Sequence, residues 1–211
     1  MSSKLPTPFA AALERRRGRG TYRATNLPEV RAYEAPSGPV VPVVVVSADQ
    51  LFPTPRELAA RLCAFALDGA RPRVLEPSSG TGVLVRAVLE HTPGAQVAAL
   101  ELNYNLAKAT GAECCDFLEW SAPEPFDAIV MNPPFSKGAD VRHVRHAATM
   151  LAPGGRLAAV MSAGVTFRSD RLFREFREWA DEAGGHIEPL PDDTFRECGT
   201  SVRTVLFTLA T

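Results

Sequence analysis

From Arg73 to Leu209 the chain alternates short apolar runs with helical stretches of about ten to fifteen residues. The runs are Val74-Leu75, Val97-Ala98-Ala99-Leu100, Glu113-Cys114-Cys115, Ala128-Ile129-Val130-Met131 and Leu157-Ala158-Ala159-Val160. Such spacing predicts parallel βαβ units, because parallel strands need a crossover long enough to hold a helix. Five strands separated by helices make a doubly wound sheet. A predicted helix near 169–184 carries Leu172, Phe173, Phe176, Trp179 and Ala180 on one face and Arg and Glu on the other, so it packs on that sheet. Ile187-Glu188-Pro189-Leu190 and Val202 to Leu209 then follow one another with no helix between them, which predicts a terminal antiparallel pair. The expected fold class is α/β: a Rossmann-like, doubly wound, seven-stranded, mostly parallel sheet with a C-terminal antiparallel strand pair.

Upstream of this pattern, Phe52-Pro53-Thr54-Pro55 reads as a turn, and it leads into a helix with Leu58, Leu62 and Phe65 on its apolar face. Val40 to Val46 is strongly β-prone, but Pro42 within it fits an edge strand or an extended segment. Residues 1–38, rich in Pro, Gly, Arg and Ser, read as a basic N-terminal arm, leaving 39–211 as a single domain. A chain of 211 residues, 45% hydrophobic, can bury one good core.

Charge divides the chain the same way. Residues 1–31 hold seven Lys and Arg against two acids, whereas the rest holds 16 against 22. Arg15, Arg16, Arg17, Arg19 and Arg23, spaced by Gly18 and Gly20, suit a phosphate-binding arm, and they suit a solvated tail equally well. Cys63, Cys114, Cys115 and Cys198 form no C-x-x-C pair and no zinc spacing, so a reduced protein without a metal is expected. Leu13 is followed at once by Glu14 and three arginines, which leaves no apolar leader, and Val40 to Ala48 is too short to cross a bilayer. A soluble, cytoplasmic protein with no membrane partner is the expectation.

The chemistry gathers at strand ends. Val74-Leu75-Glu76-Pro77-Ser78-Ser79-Gly80-Thr81-Gly82 places an acid and a two-glycine loop between a strand and a helix, where backbone can approach a ligand closely. A tight βα turn would show the same glycines. Glu76 would repel a pyrophosphate, however, so a positively charged ligand suits the loop better. Leu100-Glu101-Leu102 ends the next strand with an acid about twenty residues after the glycines, the distance from which a carboxylate reaches both hydroxyls of a ribose. Asp116-Phe117 ends the third strand with an acid and a ring suited to adenine. Three strand ends together describe a pocket for a cationic adenosine compound. The fourth run breaks off at Asn132-Pro133-Pro134-Phe135, where two prolines with fixed φ and no N–H end the strand rigidly. An amide, unpaired carbonyls and a ring held there suit a planar amino group. His143 and His146, at i and i+3, lack a third ligand for a metal.

These stretches carry a resemblance. Asn132-Pro133-Pro134-Phe135 resembles the catalytic motif of amino-group methyltransferases that use S-adenosylmethionine, and the Glu76 to Gly82 loop resembles their cofactor motif. Phe52-Pro53-Thr54-Pro55 resembles the opening motif of N6-adenine DNA methyltransferases of the γ order, and Phe195 with Gly199-Thr200 and Val202 is similar to their late segment. The resemblance covers roughly residues 50–211 and keeps the family's motif order, in a minimal form without a target-recognition domain. It implies the class I methyltransferase fold and S-adenosylmethionine as cofactor. Thr54, Pro55, Ser78, Gly80 and Gly82 would meet the methionine part, with Glu76 in the same loop. Glu101 with Leu102 would take the ribose, and Asp116 with Phe117 the adenine. Asn132 and the Pro133 carbonyl would accept hydrogen bonds from the target amine, with Pro134 and Phe135 completing the catalytic turn. Phe135 and Phe195 would clamp an extruded base, and Lys137 would reach a phosphate, unless Phe195 is ordinary packing and Lys137 a solvated helix start. The activity implied is methylation of adenine N6 in nucleic acid, DNA before RNA. Methylation of an RNA base, N5-methylation of a protein glutamine, and a cofactor-binding module without catalysis stay open.

Overall fold

The computed structural model describes residues 52–69, 72–196 and 202–211. The expected arm (1–38), the Val40–Val46 segment, Cys198 and Gly199-Thr200 lie outside the described residues. Helix α1 (Arg56–Ala66) precedes β1 (Arg73–Glu76), α2 (Val83–His91) and β2 (Gln96–Glu101). Then come α3 (Tyr104–Thr110), β3 (Glu113–Cys114) and β4 (Phe126–Met131). A 3-10 turn (Ser136–Gly138) opens α4 (Ala139–Ala148), which leads to β5 (Leu151–Ser162), the single turn α5 (Gly164–Phe167) and α6 (Arg171–Glu182). Two strands finish the fold, β6 (His186–Pro189) and β7 (Thr204–Ala210).

The seven strands form one sheet in the order β3-β2-β1-β4-β5-β7-β6. The first five run parallel, and β7 is inserted antiparallel between β5 and β6. The expected mostly parallel sheet and its C-terminal antiparallel pair are both present. What spacing along the chain does not reveal is that β7, rather than β6, lies against β5. Its run Thr204-Val205-Leu206-Phe207 is buried throughout, as an inner strand requires, while β6 carries His186 and Pro189 exposed at the edge.

Both faces of the sheet are covered, and the alternation along β4 and β5 shows it. Ile129, Met131, Leu157, Ala159 and Met161 join one core, with Val141 and Val144 of α4 and Phe173 and Phe176 of α6. Ala128, Val130, Ala158 and Val160 point the other way, against Leu58 and Leu62 of α1 and Val85 and Val88 of α2. Each such aliphatic or aromatic side chain contributes on the order of 1.5–3 kcal/mol by leaving water. The central strands therefore tolerate no polar side chain until they reach the sheet's end.

A parallel sheet whose strand order turns back at β1 and β4 opens a crevice at the strands' C-terminal ends. Here the register Val74↔Ala128 and Leu75↔Ile129 brings Glu76 and Asn132 to the same edge. The turn after Asn132 is fixed from two sides. Asp140, fully buried in the first turn of α4, accepts from the Ser162 N–H at 2.9 Å and the Ser162 hydroxyl at 2.7 Å, tying α4 to the end of β5. Gly138 (φ 69°) packs so closely that a Cβ there would lie 2.5 Å from Leu172 Cδ2 on α6.

Removing the Asp140 carboxylate would leave the Ser162 N–H and hydroxyl unpaired. Asp140→Ala is therefore expected to cost about 2–3 kcal/mol in urea unfolding, with Asp140→Asn, which keeps an acceptor, costing less.

Candidate active site

The crevice holds a cavity of about 680 Å³. One wall is the glycine loop. Gly80 takes a positive φ of 51°, and its N–H donates to Glu101 Oε2 at 2.7 Å, while the Asn103 N–H donates to Glu101 Oε1 at 2.8 Å. Two backbone donors on two oxygens fix the Glu101 carboxylate between the loop and the end of β2 before any ligand arrives. Gly82 does not line the cavity. Its φ of 74° places it at the N-cap of α2, where an added Cβ would meet the Arg86 guanidinium at 3.3 Å.

Glu76 is the least ordinary residue of the site. It is 0% exposed, Oε1 accepts from the Ser78 N–H at 3.2 Å, and Oε2 has no partner. Burial pushes its carboxyl well above the usual carboxylate range, and the nearby Glu101 charge adds to the shift, against the opposing Ser78 hydrogen bond. A buried carboxyl with an orphaned oxygen facing an acidic neighbour is a receptor for positive charge.

The end of β3 supplies the next part of the wall. Asp116 is exposed there and accepts from the Leu118 N–H at 2.9 Å. Phe117 lines the cavity but is only 3% exposed, its ring 5.6 Å from His143 and 4.8 Å from His146. Leu102, 70% exposed, also borders the cavity. His143 and Cys115 complete this side, a contribution the sequence reading did not assign. The His143 Nδ1–H donates to the Ala139 carbonyl at 2.8 Å, and burial holds the ring below the usual histidine range, so it stands neutral. The Cys115 thiol is raised to about 11, by burial first and then by Glu113, Cys114 and Asp116, so it offers no thiolate. Among the described residues no cluster of His, Cys, Asp and Glu could hold a metal.

At the end of β4, Asn132 is held by the segment before α1. Its Nδ2 donates to the Phe52 carbonyl at 2.9 Å and to the Thr54 hydroxyl at 3.1 Å. A carbonyl can only accept, so the amide's nitrogen must face Phe52, and Oδ1 is left as a buried acceptor without a partner. Thr54, Pro133, Pro134 and Phe135 line the cavity beside it. The Phe135 ring stacks on Phe52 at 6.2 Å and 13°. The Phe-x-Thr-Pro segment thus orients the amide, and nothing local in the sequence signals that contact across 78 residues.

Besides Gly82, three expected residues stay away from the cavity. Pro55 serves as the N-cap of α1. Lys137 is exposed just beyond Phe135 in a left-handed conformation (φ 52°). Phe195 is 1% exposed among Leu190 and Leu206, so its ring belongs to the core and Phe52 is the aromatic partner of Phe135.

Residues 57–186 match the methyltransferase small domain family. The ribosomal RNA small subunit methyltransferase C of Chromohalobacter salexigens is 32% identical over 142 residues, 60% of this chain and 39% of that protein. Among solved structures, the type I restriction-modification methyltransferase subunit of Streptococcus thermophilus superposes with a TM-score of 0.61 at 21% identity, covering 75% of this chain and 44% of that one. A Listeria monocytogenes protein assigned to the class I S-adenosylmethionine-dependent methyltransferases gives 0.58 at 17% identity, covering 78% and 62%. The chain spans less than two thirds of each of these proteins, and the likeness to the solved structures is one of fold. The sheet, its antiparallel end and the strand-end cavity are those of the class I fold, with S-adenosylmethionine as cofactor. With more than half of its length matched, this chain belongs to the methyltransferase small domain family.

Proposed function

We propose that this chain transfers the methyl group of S-adenosylmethionine to the exocyclic amino group of a nucleic-acid base, with adenine N6 in DNA as the first reading. The observation that carries it is the buried, unpartnered Asn132 Oδ1, kept acceptor-outward by Phe52 and Thr54. An exocyclic amine conjugated to a ring is a poor nucleophile. Acceptors on its hydrogens draw the nitrogen toward a pyramidal shape with an available lone pair, and Asn132 Oδ1 with the Pro133 carbonyl are the acceptors. When bound, S-adenosylmethionine supplies a methyl group already activated on a sulfonium. The amine nitrogen forms the new bond to that carbon as the carbon–sulfur bond breaks, and the nitrogen's surplus proton leaves to solvent. Catalysis is then positioning and polarisation, which agrees with a cavity offering neither a thiolate nor, among the described residues, a metal cluster.

The cavity's own residues fit the cofactor. Glu76 offers a buried carboxyl whose ionised form a neighbouring cation would favour, the Glu101 carboxylate is held ready for hydroxyls, and Asp116, Phe117 and His143 offer a polar and aromatic end for adenine. Phe135, supported by Phe52, gives the target base an aromatic wall. The Phe-x-Thr-Pro opening and the motif order support DNA. A second reading, an RNA base, is supported by the 32% identity to a ribosomal RNA methyltransferase. Incubation with tritiated S-adenosylmethionine and separate DNA and RNA pools, followed by nucleoside mass spectrometry, decides between them. N6-methyladenine in DNA supports the first reading, a methylated amino group confined to RNA supports the second, and label in protein alone overturns both.

Asn132→Ala is expected to lower kcat by at least about 100-fold while cofactor binding, measured by calorimetry, changes far less. Thr54→Val, which removes one of the two restraints on the amide, is expected to lower kcat by roughly tenfold, a loss of about 1.4 kcal/mol in the barrier.

Glu76 governs pH dependence. Its folded pKa lies above the unfolded value, so the unfolded chain loses this proton first as pH rises. Stability without cofactor should fall as pH climbs from about the ordinary carboxylate range (~4.3) toward the raised folded value. Glu76→Gln is expected to flatten that decline in thermal unfolding and to weaken S-adenosylmethionine binding by roughly tenfold or more, about 1.4 kcal/mol.

A further inference from the structure

Beyond the cavity mouth lies a surface that neither the motifs nor the cofactor site accounts for. Eight of the sixteen Lys and Arg outside the first 31 residues fall from Lys137 to Arg177, and all but Arg156 lie on the 3-10 turn, α4 and α6 or just after α5, although the chain after residue 31 is acidic in sum. Six of them are exposed: Lys137, Arg142, Arg145, Arg168, Arg171 and Arg174. They are physically contiguous. Arg142 Nη1 donates to the Lys137 carbonyl at 3.0 Å, and Gly138 next to it packs against Leu172 and Phe173. Arg168 lies over the Phe173 ring at 4.4 Å, and Arg145 over Trp179 of the same helix at 5.7 Å.

Counter-charge on this surface is partial. Asp170 pairs with Arg168 at 2.9 Å and Glu175 with Arg171 at 2.6 Å, while Glu178 lies one turn beyond Arg174. Lys137, Arg142, Arg145 and Arg174 form no ion pair among the described residues within 4 Å. The surface begins two residues after Phe135, so it abuts the place where a target base would enter. At its other side stands Phe167, 73% exposed on the single turn α5, next to Arg168. An aromatic ring left this far in water beside an arginine adds little to packing.

We infer that this surface is the docking track for a single-stranded nucleic-acid segment, with phosphates on Lys137, Arg142, Arg171 and Arg174 and one unstacked base on Phe167. Arginine and lysine at this spacing neutralise phosphates, and a solvent-facing ring stacks any base regardless of sequence. A duplex offers no free base face to such a ring. The inference rests on the nucleic-acid reading of the site and names where the polymer lies around it.

The test is fluorescence anisotropy of the full chain with labelled 20-nucleotide single strands of DNA and of RNA and with the matching duplex, between about 50 and 200 mM salt, a range over which phosphate contacts are read from the salt slope. For four phosphate contacts the log of affinity against log salt should have a slope of about −3, and the duplex should bind more weakly than the single strands. Phe167→Ala is expected to weaken single-strand binding by roughly tenfold with little change in salt slope, and Phe167→Trp to restore it. The double variant Arg171→Ala with Arg174→Ala should reduce the slope by about 1.4. Cofactor binding, followed by calorimetry, should be unchanged in all three. Phe167→Ala and Arg171→Ala/Arg174→Ala variants that bind single strands like the parent overturn the track, and if the parent methylates nucleic acid in the same preparation, the site's reading survives that failure. Equal or tighter binding of the duplex also overturns it. A parent that neither binds nor methylates any of the polymers overturns track and reading together.

Discussion

The parallel pairing of β1 with β4 decides where chemistry can occur in this molecule. With Val74 beside Ala128 and Leu75 beside Ile129, the two central strands finish side by side, and both are buried on both faces from Val74 and Ala128 onward. After that buried stretch the first polar side chain each presents is at its C-terminal tip, Glu76 on β1 and Asn132 just past β4. One carries a charge that the interior resists, and the other an amide that the interior has oriented. On the proposed reading, a cation and an amine would be brought to adjacent places by the hydrogen-bond ladder of a sheet whose inner residues touch neither.

That arrangement explains which parts were legible in the sequence. Strand tips were readable because apolar runs must stop where polar groups begin, and a run that stops at Asn-Pro-Pro-Phe or at Glu-Pro-Ser-Ser-Gly announces its own end. The acids Glu76, Glu101 and Asp116 all border the cavity, as their places after successive strands imply. Contacts between distant segments were not readable. The Phe52 carbonyl is met by Asn132 across 80 residues, and its part is played by backbone, which leaves no side-chain signature. Phe195 was misplaced for the opposite reason. An aromatic side chain near a family motif looks the same in sequence whether it faces a ligand or a core, and only the packing of Leu190 and Leu206 around it settles the matter. The insertion of β7 between β5 and β6 is likewise a decision of the whole sheet, since a short edge strand with Pro189 cannot serve as an inner one.

The division of labour within the cavity is also informative. Glu101 is satisfied by two backbone N–H groups, Asn132 is satisfied at its nitrogen alone, and Glu76 keeps one oxygen with nothing to accept from. Groups already paired serve as fixed geometry. Groups left unpaired inside a protein raise its free energy until a ligand completes them, and it is these two that the proposed function assigns to the cation and the amine.

Gly138 carries a consequence of another kind. Because the space where its side chain would stand is filled by Leu172, the turn after Phe135 and the start of α6 pack directly against each other. On the proposed reading, a polymer docked on the arginines of α6 would rest on an element packed against the turn that follows Asn132 to Phe135, so the distance from the grip to the acceptor would be set during folding. Binding would then spend little free energy on assembling that part of the site, and the orientation entropy of the reacting base would be lost once, at docking, instead of again at each attempt to react. A single missing methyl group makes the handle and the blade one tool.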